Sequence, residues 1–447
     1  MSTSTPDAAF ASPTGTPALA RTARRFAGLM PGVIVSYSAL VDPLVNIDVP
    51  QGEYFGGVAL EAGVKSNALT QLVMPLFFGL ALVCALVARP VVPSLLRRAV
   101  WPAVALLALA CMSVLWSRAP AVSFNLAVYQ SILFVSLLLF VAVAADPPRV
   151  LRFVLLAFGI AIAANVVAVF VRTGSPIGHQ GIYGFKNTSG SVAACAFLFA
   201  LFHVREPRLL WRATAWFTLP GALFVGFASD SKTAVALMFA GPALAVALHL
   251  TTITFRMRTA LSFLLLSTLL AGLVAVALGV LGGDTDDLLN ATYGDTTFTG
   301  RTEIWDFMAR HIAAEFWLGN GYRGFWSLAG SPQHGSEIEF IRTIGSGHSG
   351  YMDIRLDLGV IGLALLAIFI ATAFVTAGRT DLRPARRTLL YLSIVIFAAG
   401  RNAMESVILW STFFDNLAFL TVVFLACYRE QPLERVLADD PEEGRGG

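Results

Sequence analysis

The chain has 447 residues, of which 56% are hydrophobic and only 13% are charged, and its formal net charge at pH 7 is +3. A mean hydropathy of +0.72 excludes an ordinary soluble globular protein. Solidly apolar runs of roughly 18–25 residues recur, and they favour membrane-spanning helices over a transmembrane barrel. The 4 cysteines lie in or at the end of apolar runs, with neither a disulfide framework nor a metal-site spacing.

The first 20 residues are rich in Ser, Thr, Pro and Ala, and residues 1–26 are predicted to form a disordered cytoplasmic tail. The next apolar run lacks a small-residue cleavage site, so we interpret it as the first span. About twelve helices are predicted, helices 1–9 within 27–281 and helices 10–12 within 348–427. A cytoplasmic tail is predicted at 428–447. The predicted helices are 27–45, 67–88, 101–116, 126–145, 151–171, 188–204, 213–229, 233–250, 260–281, 350–376, 388–404 and 408–427.

The basic residues fix the predicted orientation of these helices. With a cytoplasmic N-terminus, every short inside connection carries more than one arginine, as the positive-inside rule requires. The long connection 282–347, before helix 10, then lies on the outer face. Basic residues on that face run against the rule, and we expect some of them to be functional. They are Lys65, Arg118, Arg172, Lys186, Lys232, Arg301, Arg310, Arg323, Arg342, Arg355 and Arg401.

The connection 282–347 is the first candidate for function, because loops of this length are usually functional or disordered. Apolar residues within 301–316 follow the spacing of an amphipathic helix lying on the membrane. Gly300 is expected to cap this helix, which places Arg301 in its first turn. Free amides and a guanidinium fork there would suit a diphosphate. The alternative is a surface arginine paired with a nearby carboxylate.

A second candidate is His348, which lies among small residues just before helix 10. Histidine titrates near neutrality and suits the removal of a proton from a sugar hydroxyl. We therefore predict a catalytic or substrate-orienting role. The alternative is a structural or merely exposed histidine.

Two outer lysines are predicted to bind the same anion. Lys186 follows a glycine-containing turn, with Arg172 nearby, and Lys232 lies in a very short connection at the outer surface. An ionisable residue at that depth usually faces a cavity or a partner. The alternatives are snorkelling of Lys186 at the interface and pairing of Lys232 with Asp230.

The remaining candidates are weaker. Arg401 and Glu405 lie between the last two helices, where a mutual ion pair is favoured over a role in lining the site. Arg323 lies within an aromatic segment that suits either sugar contacts or interfacial anchoring. No phosphate-binding loop, dinucleotide fingerprint or Asp-x-Asp pair occurs, which disfavours a nucleotide-dependent reaction and predicts no metal site.

Several motifs occur in a fixed order: Gly181-Ile182-Tyr183-Gly184-Phe185-Lys186-Asn187, Gly300-Arg301-Thr302-Glu303-Ile304-Trp305, Leu318-Gly319-Asn320-Gly321-Tyr322 and His348-Ser349-Gly350-Tyr351. Together they resemble the O-antigen ligase and Wzy-type polymerase superfamily, and in particular its ExoQ-like exopolysaccharide polymerases. The resemblance implies transfer of a glycan from undecaprenyl diphosphate to an acceptor hydroxyl, without cofactor or metal. It also implies that His348 assists the acceptor, that Arg301 is the loop arginine, and that Lys186 belongs to the Lys-Asn element. Lys232 stands where many ligases have an arginine. The lysine keeps the positive charge but loses the bidentate hydrogen bonding of a guanidinium.

The sequence thus predicts an all-α polytopic membrane protein of the bacterial inner membrane, with both termini cytoplasmic and a periplasmic site. The favoured function is polymerisation of undecaprenyl-diphosphate-linked repeat units into exopolysaccharide or O-antigen. A ligase acting on lipid A core or protein is the main alternative, and a flippase or transporter is the least favoured. Expected partners are the lipid-linked glycan, membrane lipid, a flippase and a chain-length co-polymerase or export complex, with no nucleic acid.

Overall fold

The computed structural model describes most of the chain and leaves out several segments. Predictions for 1–17 and 430–447 of the two tails, the end of helix 9 and the cap at Gly300 concern residues outside the described part, whereas 18–26 of the predicted disordered tail are helical. The described residues are 18–41, 68–90, 92–175, 177–266, 268–269, 301–326, 331–409 and 414–429.

The described residues form helices joined by turns and short irregular segments. A π-helical turn, Tyr37–Val41, extends α1, and 3₁₀ turns occur at Ser113–Leu115, Pro332–Gly335 and Glu339–Thr343. Further helical residues lie at 259–266 and 268–269. The α-helices are α1 (Ala18–Ser36), α2 (Ala68–Ala88), α3 (Ser94–Met112), α4 (Pro120–Ala144), α5 (Pro147–Val171), α6 (Lys186–Leu201), α7 (Leu209–Ala228), α8 (Lys232–Thr254), α9 (Arg301–Ala314), α10 (Gly350–Ala377), α11 (Ala385–Met404) and α12 (Phe414–Leu425).

Among the described residues, 6 helices are long and apolar enough to cross a membrane. They are α2, α3, α4, α5, α8 and α10. The candidate span in α2 begins at Gln71, and the one in α3 runs from Leu95 to Leu115. The prediction of an all-helical membrane protein is therefore confirmed. The count of about twelve spans and the side of the membrane on which 282–347 lies stay predictions.

Two helix boundaries differ from the prediction for identifiable reasons. Helix α1 begins at Ala18 rather than at 27, because Ala, Leu and Arg are good helix formers that carry the helix into the basic segment. Helix α12 begins at Phe414 rather than at 408. Before it, the amides of Val407 and Ile408 bind the Asn402 side-chain oxygen at 3.2 and 2.9 Å, which holds this segment as a turn instead of a helix.

Helix α6 is the central helix of the bundle. Every residue from Ser189 to Ala200 is buried, so lipid cannot reach this stretch. Helix α6 packs against α7. Elsewhere in the bundle, α1 packs against α5, α8 against α11, and α3 against α10. The start of α5 meets the end of α6 at one end of the bundle, where Arg152 pairs with buried Glu206 at 2.6 Å. Because α6 ends there, its start lies at the opposite end of the bundle. At that end it meets the start of α8 and the end of α11.

Helix α10 is broken at Gly359, which has φ +67° and ψ −166°. The segment that follows α9 crosses the break and supplies the missing partners. The amides of Asn320 and Gly321 donate to the carbonyls of Leu356 and Asp357, both at 2.9 Å. These bonds satisfy backbone groups that a broken membrane helix would otherwise leave unpaired.

We predict that Gly359→Ala destabilises the protein strongly. A Cβ at Gly359 would lie 2.0 Å from the Trp317 carbonyl oxygen, and the positive φ adds strain of its own. The backbone strain alone costs roughly 1–3 kcal/mol. The measurement is the thermal unfolding midpoint in detergent, with Gly79→Ala as the control, because a Cβ there meets nothing within 4 Å. An equal midpoint in both variants would contradict the assigned break.

Candidate active site

A buried carboxylate in the first turn of α10 holds three parts of the chain together. Asp353 is 5% exposed, and its Oδ1 accepts hydrogen bonds from Trp326 Nε1 at 3.1 Å and from the Gly347 amide at 2.9 Å. Its Oδ2 accepts from the Ser406 hydroxyl. Because Gly347 precedes His348 and Ser406 follows Glu405, this carboxylate fixes the separation of two candidate site residues.

His348 is held by its own backbone conformation and by its restrained neighbour Gly347. Its backbone has φ +48°, a left-handed conformation that is uncommon outside glycine. The preceding Gly347 has no room for a side chain, since a Cβ would lie 2.4 Å from Met308 Sδ, and its carbonyl accepts from Trp305 Nε1 at 3.0 Å. The imidazole itself is 40% exposed, so it is anchored through its backbone while its ring stays accessible.

Glu405 connects the two residues that the sequence analysis ranked highest. Its Oε1 accepts from Arg301 Nη2 at 2.8 Å and from Asn187 Nδ2 at 2.8 Å, and its Oε2 contacts His348 Nδ1 at 3.2 Å. Burial alone would raise the pKa of this carboxyl, but the hydrogen bond from His348 and the positive charges of His348, Arg401 and Arg301 lower it to about 2. Glu405 is therefore ionised across the physiological range.

Four helices begin around this carboxylate: α6, α8, α9 and α10. Arg301 is the first residue of α9, and the Gly350 amide, at the start of α10, donates to the Glu405 carbonyl at 3.3 Å. Asn187 Oδ1 accepts from the Ser231 hydroxyl at 3.1 Å, which joins the starts of α6 and α8. Helix N-termini present amides and a partial positive charge, so this end of the bundle favours an anion.

The two lysines and Arg172 lie on the α5–α8 side of the site. Lys186 Nζ donates to the Ile177 carbonyl at 2.6 Å and is 3.9 Å from Asp230 Oδ2. Asp230, considered as a partner for Lys232, thus pairs with Lys186. Lys232 is exposed as the first residue of α8. Arg172 Nη1 donates to the Gly181 carbonyl at 2.9 Å and shapes the turn before α6.

Arg401 and Glu405 do not form the mutual ion pair that the sequence favoured. Arg401 pairs with another carboxylate, and Glu405 pairs with other cations. Arg401 is 2% exposed, and its Nε lies 2.9 Å from Ser191 Oγ and 3.2 Å from Asp415 Oδ2. Its Nη2 donates to the Asn187 carbonyl at 3.1 Å. Arg401 is therefore paired inside the bundle, where it supports the start of α6. Glu405 interacts instead with Arg301 and His348.

Arg323 and its motif lie against the break in α10. The Arg323 amide donates to Asp357 Oδ2 at 2.8 Å, and Tyr322 is clamped by the Ser113 and Ser123 hydroxyls through its own amide and carbonyl at 2.8 and 2.7 Å. The segment therefore acts as a structural connection between α3, α4 and α10. Its contacts give no direct support to sugar binding by Arg323.

The sequence analysis missed Asn187, Ser231 and Asp353 as parts of the site. Asn187 and Ser231 stand next to the lysines that were chosen, but their contacts depend on the packing of α6 against α8. Asp353 carried a usable signal, because a carboxylate in the first turn of an apolar helix must find buried donors.

The geometry is that of a helical membrane protein with an anion-favouring site at one end of its bundle. The family model described as O-antigen ligase matches residues 217–367, a range that contains Lys232, Arg301 and His348. The chain is also 25% identical over 279 residues to the exopolysaccharide production protein ExoQ of Rhizobium meliloti strain 1021. That alignment covers 59% of this chain and 62% of the relative. The resemblance predicted from the motifs is confirmed.

We predict that Asp353→Asn destabilises the protein and displaces His348. An asparagine keeps one acceptor oxygen but turns an amide NH₂ toward the donors that Asp353 now accepts from, at a cost of about 1–3 kcal/mol. The measurement is the unfolding midpoint together with hydrogen exchange of the segment 345–350. Glu337→Gln, an exposed carboxylate in the same connection, is the control and should leave both unchanged.

We also predict a defined pH dependence for the contribution of Glu405. The folded-state pKa of about 2 lies below the usual 4.5, so the stabilisation, about 3 kcal/mol, is fully present above pH 4.5. It is lost as the pH falls from 4.5 toward 2. The measurement is the unfolding free energy of the wild type minus that of Glu405→Gln, which should shrink as the pH falls below 4.5. A difference that is independent of pH would contradict the assigned ion cluster.

Proposed function

We propose that the chain is a glycosyltransferase of the bacterial inner membrane that polymerises undecaprenyl-diphosphate-linked oligosaccharide repeat units into exopolysaccharide or O-antigen at the periplasmic face. The observation that carries this proposal is the cluster of Arg301, Glu405 and His348 where four helices begin. The match to the O-antigen ligase family over 217–367 supports the proposed donor.

The donor diphosphate is proposed to bind at the helix N-termini. Arg301 supplies a guanidinium beside the first amides of α9, and arginine binds phosphate oxygens bidentately. Lys186 and Lys232 are the first residues of α6 and α8 and add positive charge at the same end of the bundle. These groups stabilise the charge that develops on the leaving diphosphate.

His348 is proposed to take the proton from the acceptor hydroxyl. An ionised carboxylate only accepts hydrogen bonds, so we infer that His348 Nδ1 carries a proton toward Glu405 and that Nε2 holds the lone pair. As Nε2 removes the hydroxyl proton, the acceptor oxygen bonds to the anomeric carbon of the donor. The bond from that carbon to the diphosphate oxygen breaks, its electron pair stays on the oxygen, and undecaprenyl diphosphate leaves.

Two alternatives remain beside polymerisation. A ligase would use the same donor chemistry and move finished glycan onto lipid A core or protein, and the description of the matching family, O-antigen ligase, favours it. The similarity to a protein named for exopolysaccharide production, together with the Lys186-Asn187 element, favours polymerisation. A flippase or transporter is less favoured, since charges near the bilayer midplane are expected there, and this cluster lies at one end of the bundle.

The proposed partners follow from the same chemistry. A polymerase that uses a lipid-linked donor at the outer face needs a flippase to deliver that donor. A chain-length co-polymerase or export complex would receive the product. Both are proposals for this chain, and co-purification with proteins of its own host tests them.

The activity is tested with purified protein in lipid and an undecaprenyl-diphosphate oligosaccharide, by following release of undecaprenyl diphosphate and growth of the glycan. His348→Ala should lower the rate on the order of 100- to 10,000-fold, because the general base is lost. Arg301→Ala should lower kcat/KM about 10- to 100-fold, because charged hydrogen bonds to the diphosphate are lost. Arg310→Ala, which removes an exposed arginine from the same helix, is the matched control and should retain full activity.

The outcomes separate the candidate functions. Growth of the glycan on lipid-linked acceptors supports a polymerase, whereas turnover that requires a separate acceptor supports a ligase. Absence of turnover from folded protein, with movement of the lipid-linked donor across vesicles, would overturn the glycosyltransferase proposal in favour of transport.

A further inference from the structure

Glu405 makes a contact that binding of a donor through Arg301 must change. The Arg301 edge at Nη2 is hydrogen-bonded to Glu405 at 2.8 Å, and the two side chains are only 17% and 18% exposed. The same carboxylate contacts His348 through its other oxygen at 3.2 Å. Glu405 is therefore shared between Arg301 and His348, and an incoming diphosphate would compete with Glu405 for Arg301.

We propose that Glu405 is a positioning residue that couples donor binding to the basicity of His348. When Arg301 binds the diphosphate, its charge is shared with the phosphate oxygens, and Glu405 is left to interact with His348 more strongly. The acceptor-activating group then becomes a better base while a donor is held in the site. This inference rests on the proposed function and adds to it an order of events.

The charges that face His348 support this coupling. Glu405, at the end of α11, and Asp353, on α10, are carboxylates that interact electrostatically with His348, and Arg301, on α9, and Arg401, on α11, are cations that interact with Glu405. Of the two arginines, Arg401 is committed to buried Asp415. Arg301 is the partly exposed one, so its charge is the one that an incoming anion can neutralise.

Asn187 makes the exchange feasible without leaving the carboxylate unpaired. Its Nδ2 donates to Glu405 Oε1 at 2.8 Å, the oxygen that Arg301 also contacts. When Arg301 turns toward the diphosphate, this amide still satisfies Oε1. The Asn187 side chain is itself fixed by Ser231 at 3.1 Å, so Glu405 stays in position against His348.

The test is Glu405→Gln, measured for donor affinity and for turnover separately. Removal of the carboxylate frees Arg301, so the affinity for undecaprenyl diphosphate should rise about two- to fivefold. It also removes the partner of His348, so kcat should fall at least about tenfold. The acidic limb of the kcat–pH profile should move to lower pH by about one unit. Asp306→Asn, an exposed carboxylate in the second turn of α9, is the matched control and should change none of these.

The outcomes distinguish this coupling from a structural role and from failure of the proposed function. A parallel loss of affinity and kcat, with an unmoved pH limb, would overturn the coupling and leave Glu405 as a structural ion pair. Glu405→Asp keeps the charge but is one methylene shorter, so kcat should fall less than in Glu405→Gln while the pH limb stays in place. If Glu405→Gln fails to fold, Glu405→Asp is compared with the wild type instead: a rise in donor affinity with a fall in kcat supports the coupling, and a parallel loss of both overturns it. The proposed function fails separately, if the wild type itself does not consume the donor.

Discussion

The candidate site depends on one buried carboxylate in the first turn of α10. Asp353 holds the segment before His348, the segment after Glu405 and the aromatic side chain of Trp326 on the first turn of α10. A carboxylate buried to this degree is costly unless its acceptor sites are filled, and here three segments distant in sequence fill them. The His348–Glu405 distance is thus set by a hydrogen-bond network that a loop alone could not define.

The break in α10 provides a second restraint on the same connection. The segment that includes Gly319 and Gly321 binds the carbonyls exposed by the break, and Cβ atoms at either glycine would overlap Asp357 or Ser117. The glycine-containing motif at 318–322 is therefore explained by close approach of two backbones. With the middle and the end of the described connection hydrogen-bonded to α10, the backbone next to His348 is held in place, and catalysis requires such positioning of its reacting groups.

The sequence was sufficient to predict the helical membrane fold and a helix within 301–316, observed as Arg301–Ala314. The roles of the candidate site residues stay predictions. Apolar runs set the helices, and Arg301 and His348 stood out because charged groups are rare and restrictive near lipid. The pairing of the charges was not predictable in the same way. Arg401 and Glu405 are four residues apart and suggested a mutual pair, yet α11 ends at Met404. Glu405 then leaves the helix direction and turns to the loop, whereas Arg401 stays within the bundle beside Asp415. Partner choice depended on helix ends and packing, which a spacing rule does not contain.

The charge balance of the cluster also bears on the kind of anion that it can select. Arg301 is already paired with Glu405. An anion must therefore interact with the guanidinium more strongly than this single carboxylate does. A diphosphate offers several oxygens and a higher charge, and it can be bound bidentately beside the amides of α9. A weakly charged anion would gain little by displacing Glu405, since an ion pair must first be broken. The same carboxylate that orients His348 therefore raises the threshold for binding, and a donor that crosses this threshold leaves the histidine with a stronger partner.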